Sequence, residues 1–241
     1  MSSATITTSA RLMNFTPQTE EQAMVRKVAV SSFLGNFIEW FDYASYSYFA
    51  TTIALVFFPT DNHTVAMLQT FGVFALSFIL RPIGALFWGS YGDKKGRKAA
   101  LAHSIMFMSG ASFLIGCLPS YSVIGVGAPI LLLLLRMVQG FSASGEYAGA
   151  ATFLGEYAPT SKRGIYCSLI PASTAIGLLA GSTLATLMTA NMNSSAMVGW
   201  GWRVPFLLAG PLGLIVLYIR TKLSDSPVYQ SMNDALESKS A

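Results

Sequence analysis

Five ionisable side chains lie inside long apolar segments of the sequence. They are Glu39, Asp42, Arg81, Arg136 and Glu146. An ionised group near the centre of a bilayer costs about 3 kcal/mol or more, so each is expected to face a cavity or an oppositely charged partner. The chemistry open to such groups is the binding of a charged solute, the carriage of a proton, or an ion pair that joins two helices.

The first apolar segment places both of its carboxylates on one helical face. At about 100° per residue, this polar face spans an arc of about 100° and contains Ser32, Gly35, Glu39, Asp42, Tyr43 and Tyr46. The opposite face contains Phe37, Trp40, Phe41, Ala44 and Tyr48. A low dielectric favours the neutral form of a carboxylate, which suits a proton carrier. Glu39 and Asp42 are therefore the leading candidates for a proton or cation site, with Tyr43 and Tyr46 as either solute contacts or packing residues.

A second polar face lies in the fourth apolar segment. It spans an arc of about 80° and contains Arg136, Gln139, Ala143 and Glu146. At about 1.5 Å per residue, Glu39 is about 16 Å from the inner start of its helix, and Arg136 is about 14 Å from the outer start of its own. A carboxylate of the first segment could therefore meet Arg136 near the membrane midplane. Arg136 would then be a counter-charge or an anchor for a solute carboxylate, with Gln139 and Glu146 as further candidates; the alternative is a pair that only joins two helices.

Two other residues of the apolar segments are assigned no functional role. Arg81 directly precedes Pro82, which favours helix packing or a hinge. His103 is a lone histidine in the third segment, where a packed residue is more typical than a titrating relay.

Membrane-spanning helices must position these residues. The chain of 241 residues is 53% hydrophobic and 11% charged, whereas soluble domains carry about 25% charged residues. Its apolar residues form blocks near or above the length of about 20 residues that crosses a bilayer. The six blocks are 28–57, 65–90, 99–118, 126–156, 164–189 and 203–221. They do not alternate as barrel strands do, so we expect an all-α bundle of six transmembrane helices, with tilt or kinks in the long first and fourth blocks.

The basic residues predict how the bundle lies in the membrane. Lys94, Lys95, Arg97 and Lys98 follow the second block, and Lys162 and Arg163 follow the fourth. The positive-inside rule places these loops and both termini in the cytoplasm, in a multi-pass protein of the cytoplasmic membrane. We therefore expect a cytoplasmic tail over 1–27, a transmembrane domain over 28–221 and a second tail over 222–241. Orientation explains the net charge of +4 better than a nucleic-acid partner does.

Enzymatic chemistry has little support in the sequence. It offers no metal cluster, nucleotide-binding loop or nucleophile motif, so no catalytic residue, metal or cofactor is expected. Cys117 and Cys167 are expected near opposite membrane faces and are not expected to pair.

Two motifs resemble those of a known family. "GSYGDKKGRKAAL" (89–101) carries G-x-x-x-D-x-x-G-R-K between the second and third blocks, and "RMVQG" (136–140) carries R-x-x-Q-G in the fourth. Together they resemble the major facilitator superfamily. "GNFIEWFDY", "FILRPIGALFWG" and "GFSASGEYAGAATFLGEYAP" are similar to its metabolite:proton symporter branch, which includes proline/betaine, citrate, α-ketoglutarate and shikimate permeases.

The resemblance implies alternating-access uptake of a small organic solute, driven by a proton gradient. It implies that the first and fourth helices line a central cavity. It also implies a cytoplasmic gate formed by Gly89, Asp93, Gly96, Arg97 and Glu156. In that family the aspartate meets a helix end in the other half, and the arginine meets acidic groups at the end of helix four.

The family builds twelve spans from two six-helix halves, and this chain resembles the first half. Three interpretations stay open. The chain is the N-terminal half of a longer permease that is truncated or split, or two copies pair to rebuild a cavity, or it is a non-transporting accessory or regulatory subunit. The expected partners are the lipid bilayer, a small solute with protons, and such a second half or second copy.

Overall fold

A computed structural model describes residues 16–225 and 229–231, with side chains from residue 22 onward. Within these ranges the chain is helical and contains no strand, which confirms the all-α fold class. The helices are α1 (Thr16–Tyr48), α2 (Ala50–Phe57), α3 (His63–Ile79), α4 (Arg81–Lys95), α5 (Arg97–Cys117), α6 (Tyr121–Ile124), α7 (Gly127–Ala143), α8 (Glu146–Tyr157), α9 (Arg163–Cys167), α10 (Leu169–Asn191), α11 (Ser194–Gly199) and α12 (Val204–Thr221). Of the two expected tails, residues 1–15, 226–228 and 232–241 lie outside the described residues.

Five helical segments of the described chain are long and apolar enough to cross a membrane. They are His63–Lys95, Arg97–Cys117, Gly127–Tyr157, Thr160–Asn191 and Gly201–Thr221. The helix α1 is not among them, because Asn36, Glu39, Asp42 and several serines lower its hydropathy. It also begins at Thr16, well before the expected start near residue 28. The count of six spans and the cytoplasmic position of both termini stay predictions.

Several of the expected blocks are interrupted. The first is interrupted at Phe49, and the fourth is interrupted at Ser144 and Gly145, so regular helix is lost within both of the blocks judged too long for a straight crossing. The second block also breaks, at Leu80. Pro82 follows this break near the start of α4, where a residue without an N–H group costs no helical hydrogen bond.

Helix α1 lies inside the bundle and packs mainly against α10 and α12. Glycines let α10 approach closely: a Cβ atom at Gly177 would lie 2.7 Å from the carbonyl oxygen of Phe37. The Asn36 amide then joins the two helices by donating to the carbonyl oxygen of Ile170 at 3.0 Å and to the Ser173 hydroxyl at 2.8 Å. These contacts fix the polar face of α1 toward α5, α7 and α8.

The bundle buries polar side chains and exposes apolar ones. Leu68, Leu86 and Leu179 are 67%, 78% and 66% exposed, whereas Glu39, Asp42 and their surroundings are buried. Aliphatic residues facing outward are those that hydrocarbon tails can cover. The chain therefore has the outer surface of a membrane protein, and its chemistry lies between the helices.

Candidate functional site

The central feature of the bundle is a buried ion pair between α1 and α7. Arg136 Nη1 donates to Asp42 Oδ2 at 2.7 Å. The Arg136 side chain is fully buried and that of Asp42 is 5% exposed. The prediction that a carboxylate of the first segment meets Arg136 is confirmed, and the carboxylate is Asp42 rather than Glu39.

Polar and aromatic neighbours hold this pair in place. The Ser112 hydroxyl of α5 donates to Asp42 Oδ1 at 2.9 Å, and the Gln139 amide donates to the same hydroxyl. The Arg136 guanidinium carbon lies 3.7 Å from the centre of the Tyr46 ring. Four predicted site residues (Asp42, Tyr46, Arg136 and Gln139) therefore form one cluster. Ser112 was missed, because a single serine in an apolar segment carries no signal of its own.

The Asp42–Arg136 cluster retains unused hydrogen-bonding capacity. Arg136 Nε, Arg136 Nη2 and Gln139 Oε1 are buried and have no hydrogen-bond partner within the described chain. Buried donors and acceptors are rarely left unpaired, since each costs about 1–3 kcal/mol. These atoms are therefore placed to bind water or a polar solute.

A second ion pair joins Glu39 of α1 to Arg81 at the start of α4. Arg81 Nη2 donates to Glu39 Oε1 at 2.5 Å and also to the Tyr43 hydroxyl. Its guanidinium carbon lies 4.9 Å from the centre of the Tyr43 ring and 4.7 Å from that of Phe78. Arg81 is 25% exposed, whereas Glu39 is 1% exposed. Sequence reasoning left Arg81 to packing or a hinge, but it joins Glu39 and Tyr43 into a second cluster beside the helix break at Leu80.

Glu146 does not join the Arg136 cluster. The continuous helical face predicted for Arg136 and Glu146 is interrupted at Ser144 and Gly145, and Glu146 instead binds Arg220. Both carboxylate oxygens accept from this guanidinium, one of them at 2.9 Å. Arg220 lies at the end of the last expected block, where no partner was predicted for it, and its side chain is only 2% exposed.

The expected cytoplasmic gate is partly assembled. Arg97 Nε lies 3.8 Å from Glu156 Oε1, which confirms the expected contact, and Arg97 Nη2 lies 3.3 Å from Asp93 Oδ1. Gly96 has φ of 96° in the left-handed region, where a side chain would be strained and would meet the carboxylate of Asp225.

Two details of this gate differ from expectation. Gly89 was included in the gate, but a Cβ atom at this position would meet no atom of the described chain within 4 Å, so no contact within this chain requires a glycine there. Asp225, from the segment treated as a tail, accepts a hydrogen bond from the Lys98 backbone N–H at 2.9 Å.

The chain belongs to the sugar (and other) transporter family, whose family model matches residues 27–241. The proline/betaine transporter of Salmonella typhimurium is 42% identical over 217 residues, which are 90% of this chain and 43% of that protein. The glycine betaine/proline/ectoine/pipecolic acid transporter OusA of Dickeya dadantii has the same identity and coverage. This chain therefore spans less than half the length of these relatives.

Solved structures show the same fold. The xylose transporter XylE from E. coli, in a partially occluded inward open conformation, has a TM-score of 0.78 at 17% identity over 88% of this chain and 51% of that one. The proton:xylose symporter XylE bound to 6-bromo-6-deoxy-D-glucose has a TM-score of 0.77 at 16% identity over 87% of this chain and 46% of that one. The helical bundle therefore has the major facilitator fold of these structures. The matching family and the curated relatives are transporters, as expected for a chain that is not an enzyme.

Proposed function

We propose that this chain forms half of a secondary transporter that carries a small zwitterionic solute across the cytoplasmic membrane together with protons. The observation that carries the proposal is the Asp42–Arg136 pair, which is buried between α1 and α7 and has unpaired donors beside it. The names of the relatives support the solute class, since they are transporters of proline, betaine and related compounds.

Protonation of Asp42 would act as the coupling step. A proton on this carboxylate removes its charge and most of its attraction for Arg136, which is strong because the surroundings have a low dielectric. The freed Arg136 donors, together with Gln139, can then take other partners. Loss of the proton on the other side of the membrane restores the pair and expels the solute.

The contacts at the cytoplasmic end would close the site on that side. Arg97, Asp93 and Glu156 form a partly exposed charge group at the ends of α4, α5 and α8. In an assembly with a second half, Asp93 is the more accessible acid of this group, since its side chain is 65% exposed and that of Glu156 is 18% exposed.

Uptake by proteoliposomes tests the proposal. The chain is reconstituted with and without a co-expressed second half of the Salmonella relative, and accumulation of labelled glycine betaine and proline is measured under an inward proton gradient. Asp42→Asn is expected to abolish accumulation driven by the gradient while the protein stays in the membrane. The matched control is Asp61→Asn, since Asp61 is an exposed acid between α2 and α3.

Two outcomes would contradict the proposal. Uptake in no arrangement would defeat transport and favour an accessory or regulatory subunit. Unchanged gradient-driven uptake by Asp42→Asn would show that Asp42 does not couple uptake to protons, but it would leave the proposal of transport intact.

A further inference from the structure

An aromatic groove opens on the surface of the bundle between α1, α3 and α10. It has a volume of about 570 Å³ and is lined by Trp40, Tyr43, Tyr48, Phe74 and Phe78, with aliphatic and serine side chains of α10 opposite. The Tyr43 ring is its centre: its centroid lies 5.9 Å from that of Trp40, 5.7 Å from that of Phe74 and 5.4 Å from that of Phe78. Rings at these distances pack against one another, so the groove has an aromatic wall.

A charged pair lies beside this groove. The Arg81 guanidinium stacks on two of the lining rings, those of Tyr43 and Phe78, and hydrogen-bonds Glu39. Three buried polar atoms at this place have no partner within the described chain, namely Arg81 Nε, Glu39 Oε2 and Trp40 Nε1. A purely structural packing of rings would not leave a donor, an acceptor and an indole N–H unpaired together.

We infer that this groove is the solute-binding site, in which Arg81 binds the carboxylate of an ammonium carboxylate while the rings of Trp40, Tyr43 and Phe74 enclose its cationic end. The inference rests on the proposed function and deepens it by assigning the solute to residues other than the coupling pair. Aromatic faces attract alkylammonium groups electrostatically. A guanidinium matches the geometry of a carboxylate and binds it with charge-assisted hydrogen bonds.

Charge balance selects the class of solute. The Arg81–Glu39 pair is neutral as a unit, so a zwitterion can enter without adding net charge to a site of low dielectric. An anion of the same shape would add an unpaired negative charge beside Glu39, which is costly in such surroundings. The site should therefore distinguish a zwitterion from an isosteric carboxylate that lacks the positive nitrogen.

Exposure separates the roles of the two ion pairs. Arg81 is 25% exposed and contacts two of the rings that line the groove, whereas Arg136 is fully buried. The accessible pair can exchange its partner for a solute carboxylate. The Asp42–Arg136 pair, which is not accessible to a solute, is assigned to proton binding.

Direct binding tests the inference independently of transport. The purified chain in lipid nanodiscs is titrated with labelled glycine betaine. The competitors are 3,3-dimethylbutanoate, which replaces the charged nitrogen by carbon, and choline, which lacks the carboxylate. Glycine betaine is expected to bind at least tenfold more tightly than either competitor.

Variants assign the two ends of the solute. Arg81→Gln is expected to weaken glycine betaine binding by about tenfold or more, since a charge-assisted contact is lost. Trp40→Leu is expected to weaken it by about fivefold, whereas Trp40→Phe keeps a ring and most of the affinity. The control is Trp200→Leu, because Trp200 is 57% exposed and lies outside the groove.

A third variant tests the charge balance itself. Glu39→Gln leaves Arg81 without its anionic partner, so the preference should shift from glycine betaine toward 3,3-dimethylbutanoate. This change of selectivity would not arise if Glu39 and Arg81 only held the helices together.

The inference and the proposed function fail separately. The inference is overturned if the wild-type chain binds no glycine betaine, if 3,3-dimethylbutanoate binds as tightly, or if Arg81→Gln and Trp40→Leu bind as the wild type does. None of these results decides whether the chain transports a solute, which the uptake assay tests separately. Absence of uptake with intact, selective binding defeats transport and leaves the assigned binding site intact.

Discussion

Two buried arginine–carboxylate pairs of this bundle differ in how completely they are satisfied. Arg220 uses all three nitrogens: Nε donates to the Ser31 hydroxyl at 3.2 Å, Nη1 to the Leu101 carbonyl oxygen at 2.5 Å, and Nη1 and Nη2 to Glu146. Glu146 Oε2 accepts a further bond from Ser104 at 3.2 Å. Arg136 is as deeply buried, but its Nε and Nη2 have no partner within the described chain.

This difference distinguishes an ion pair that anchors helices to one another from an ion pair that is available for function. A buried ion pair offsets its desolvation only when hydrogen bonds satisfy the remaining atoms. The Glu146–Arg220 pair meets this condition and joins α8 and α12 to α1 and α5. The Asp42–Arg136 pair does not meet it, so Arg136 Nε and Nη2 remain able to bind water or another polar molecule.

The largest effect on stability is expected from breaking the satisfied pair. Arg220→Met should lower the free energy of unfolding by about 3–5 kcal/mol, because it leaves the Glu146 carboxylate buried without its counter-charge. The measurement is dodecyl sulfate titration in mixed micelles, followed by tryptophan fluorescence.

Two further variants show whether charge or packing is responsible for this loss. Arg163→Met is the control, since Arg163 is exposed, and it should change stability little. The double variant Glu146→Leu with Arg220→Met removes both charges and should recover most of the loss. A double variant as unstable as the single one would contradict the account of the pair as a charge-balanced anchor.

The next largest effect is expected from filling the space beside the same pair. A Cβ atom at Gly35 would overlap Glu146 Oε1 and Arg220 Nη2. Gly35→Ala should therefore cost about 1–3 kcal/mol, as overpacking of a well-filled interior does. Gly72→Ala is the matched control, because a Cβ there meets nothing within 4 Å and alanine favours a helix. Equal stability of the two variants would show that the space beside Gly35 is not tightly filled.

The sequence was sufficient to predict the helical fold and the class of partner for Arg136. Apolar block length predicts helices because lipid satisfies no backbone group. The number of residues from each helix start predicted that Arg136 lies at the same membrane depth as the acids of the first segment. In the structure, Arg136 Nη1 lies 2.7 Å from Asp42 Oδ2. The periodicity placed both acids on one face but could not choose between Glu39 and Asp42, because that choice depends on how α3, α4 and α7 pack around α1.

The remaining pairings could not be predicted, since they depend on helix breaks and helix ends. Arg136 and Glu146 were expected on one face of a single helix over 126–156, but this helix is interrupted at Ser144 and Gly145 and Glu146 binds Arg220. No partner was predicted for Arg220, because an arginine at the end of an apolar block normally extends its charged group to the membrane surface. The contact of Asp225 with Lys98 was also missed, because it joins parts of the chain that are 127 positions apart.

Neutralising the less satisfied pair should cost less stability than breaking the anchor. In Asp42→Asn the amide can still accept from Ser112, and Arg136 still stacks on Tyr46. The expected loss in the free energy of unfolding is about 1–3 kcal/mol, because the amide oxygen remains an acceptor for Arg136 but the fully buried guanidinium loses its counter-charge. The same titration measures it, with Asp61→Asn as control. A loss as large as that of Arg220→Met would favour the alternative in which Asp42 and Arg136 only join two helices.

The smallest effect is expected at the cytoplasmic gate, where the charges are partly hydrated. Arg97 is 29% exposed and lies 3.8 Å from Glu156, and pairs of this kind contribute about 0.2–1 kcal/mol. Arg97→Gln should therefore change the stability of this chain by less than about 1 kcal/mol, with Lys95→Gln as an exposed control. If the gate is a latch between two halves, the same substitution should cost clearly more once a second half is co-expressed. An equal cost with and without that half would reduce Arg97 to a local contact between α5 and α8.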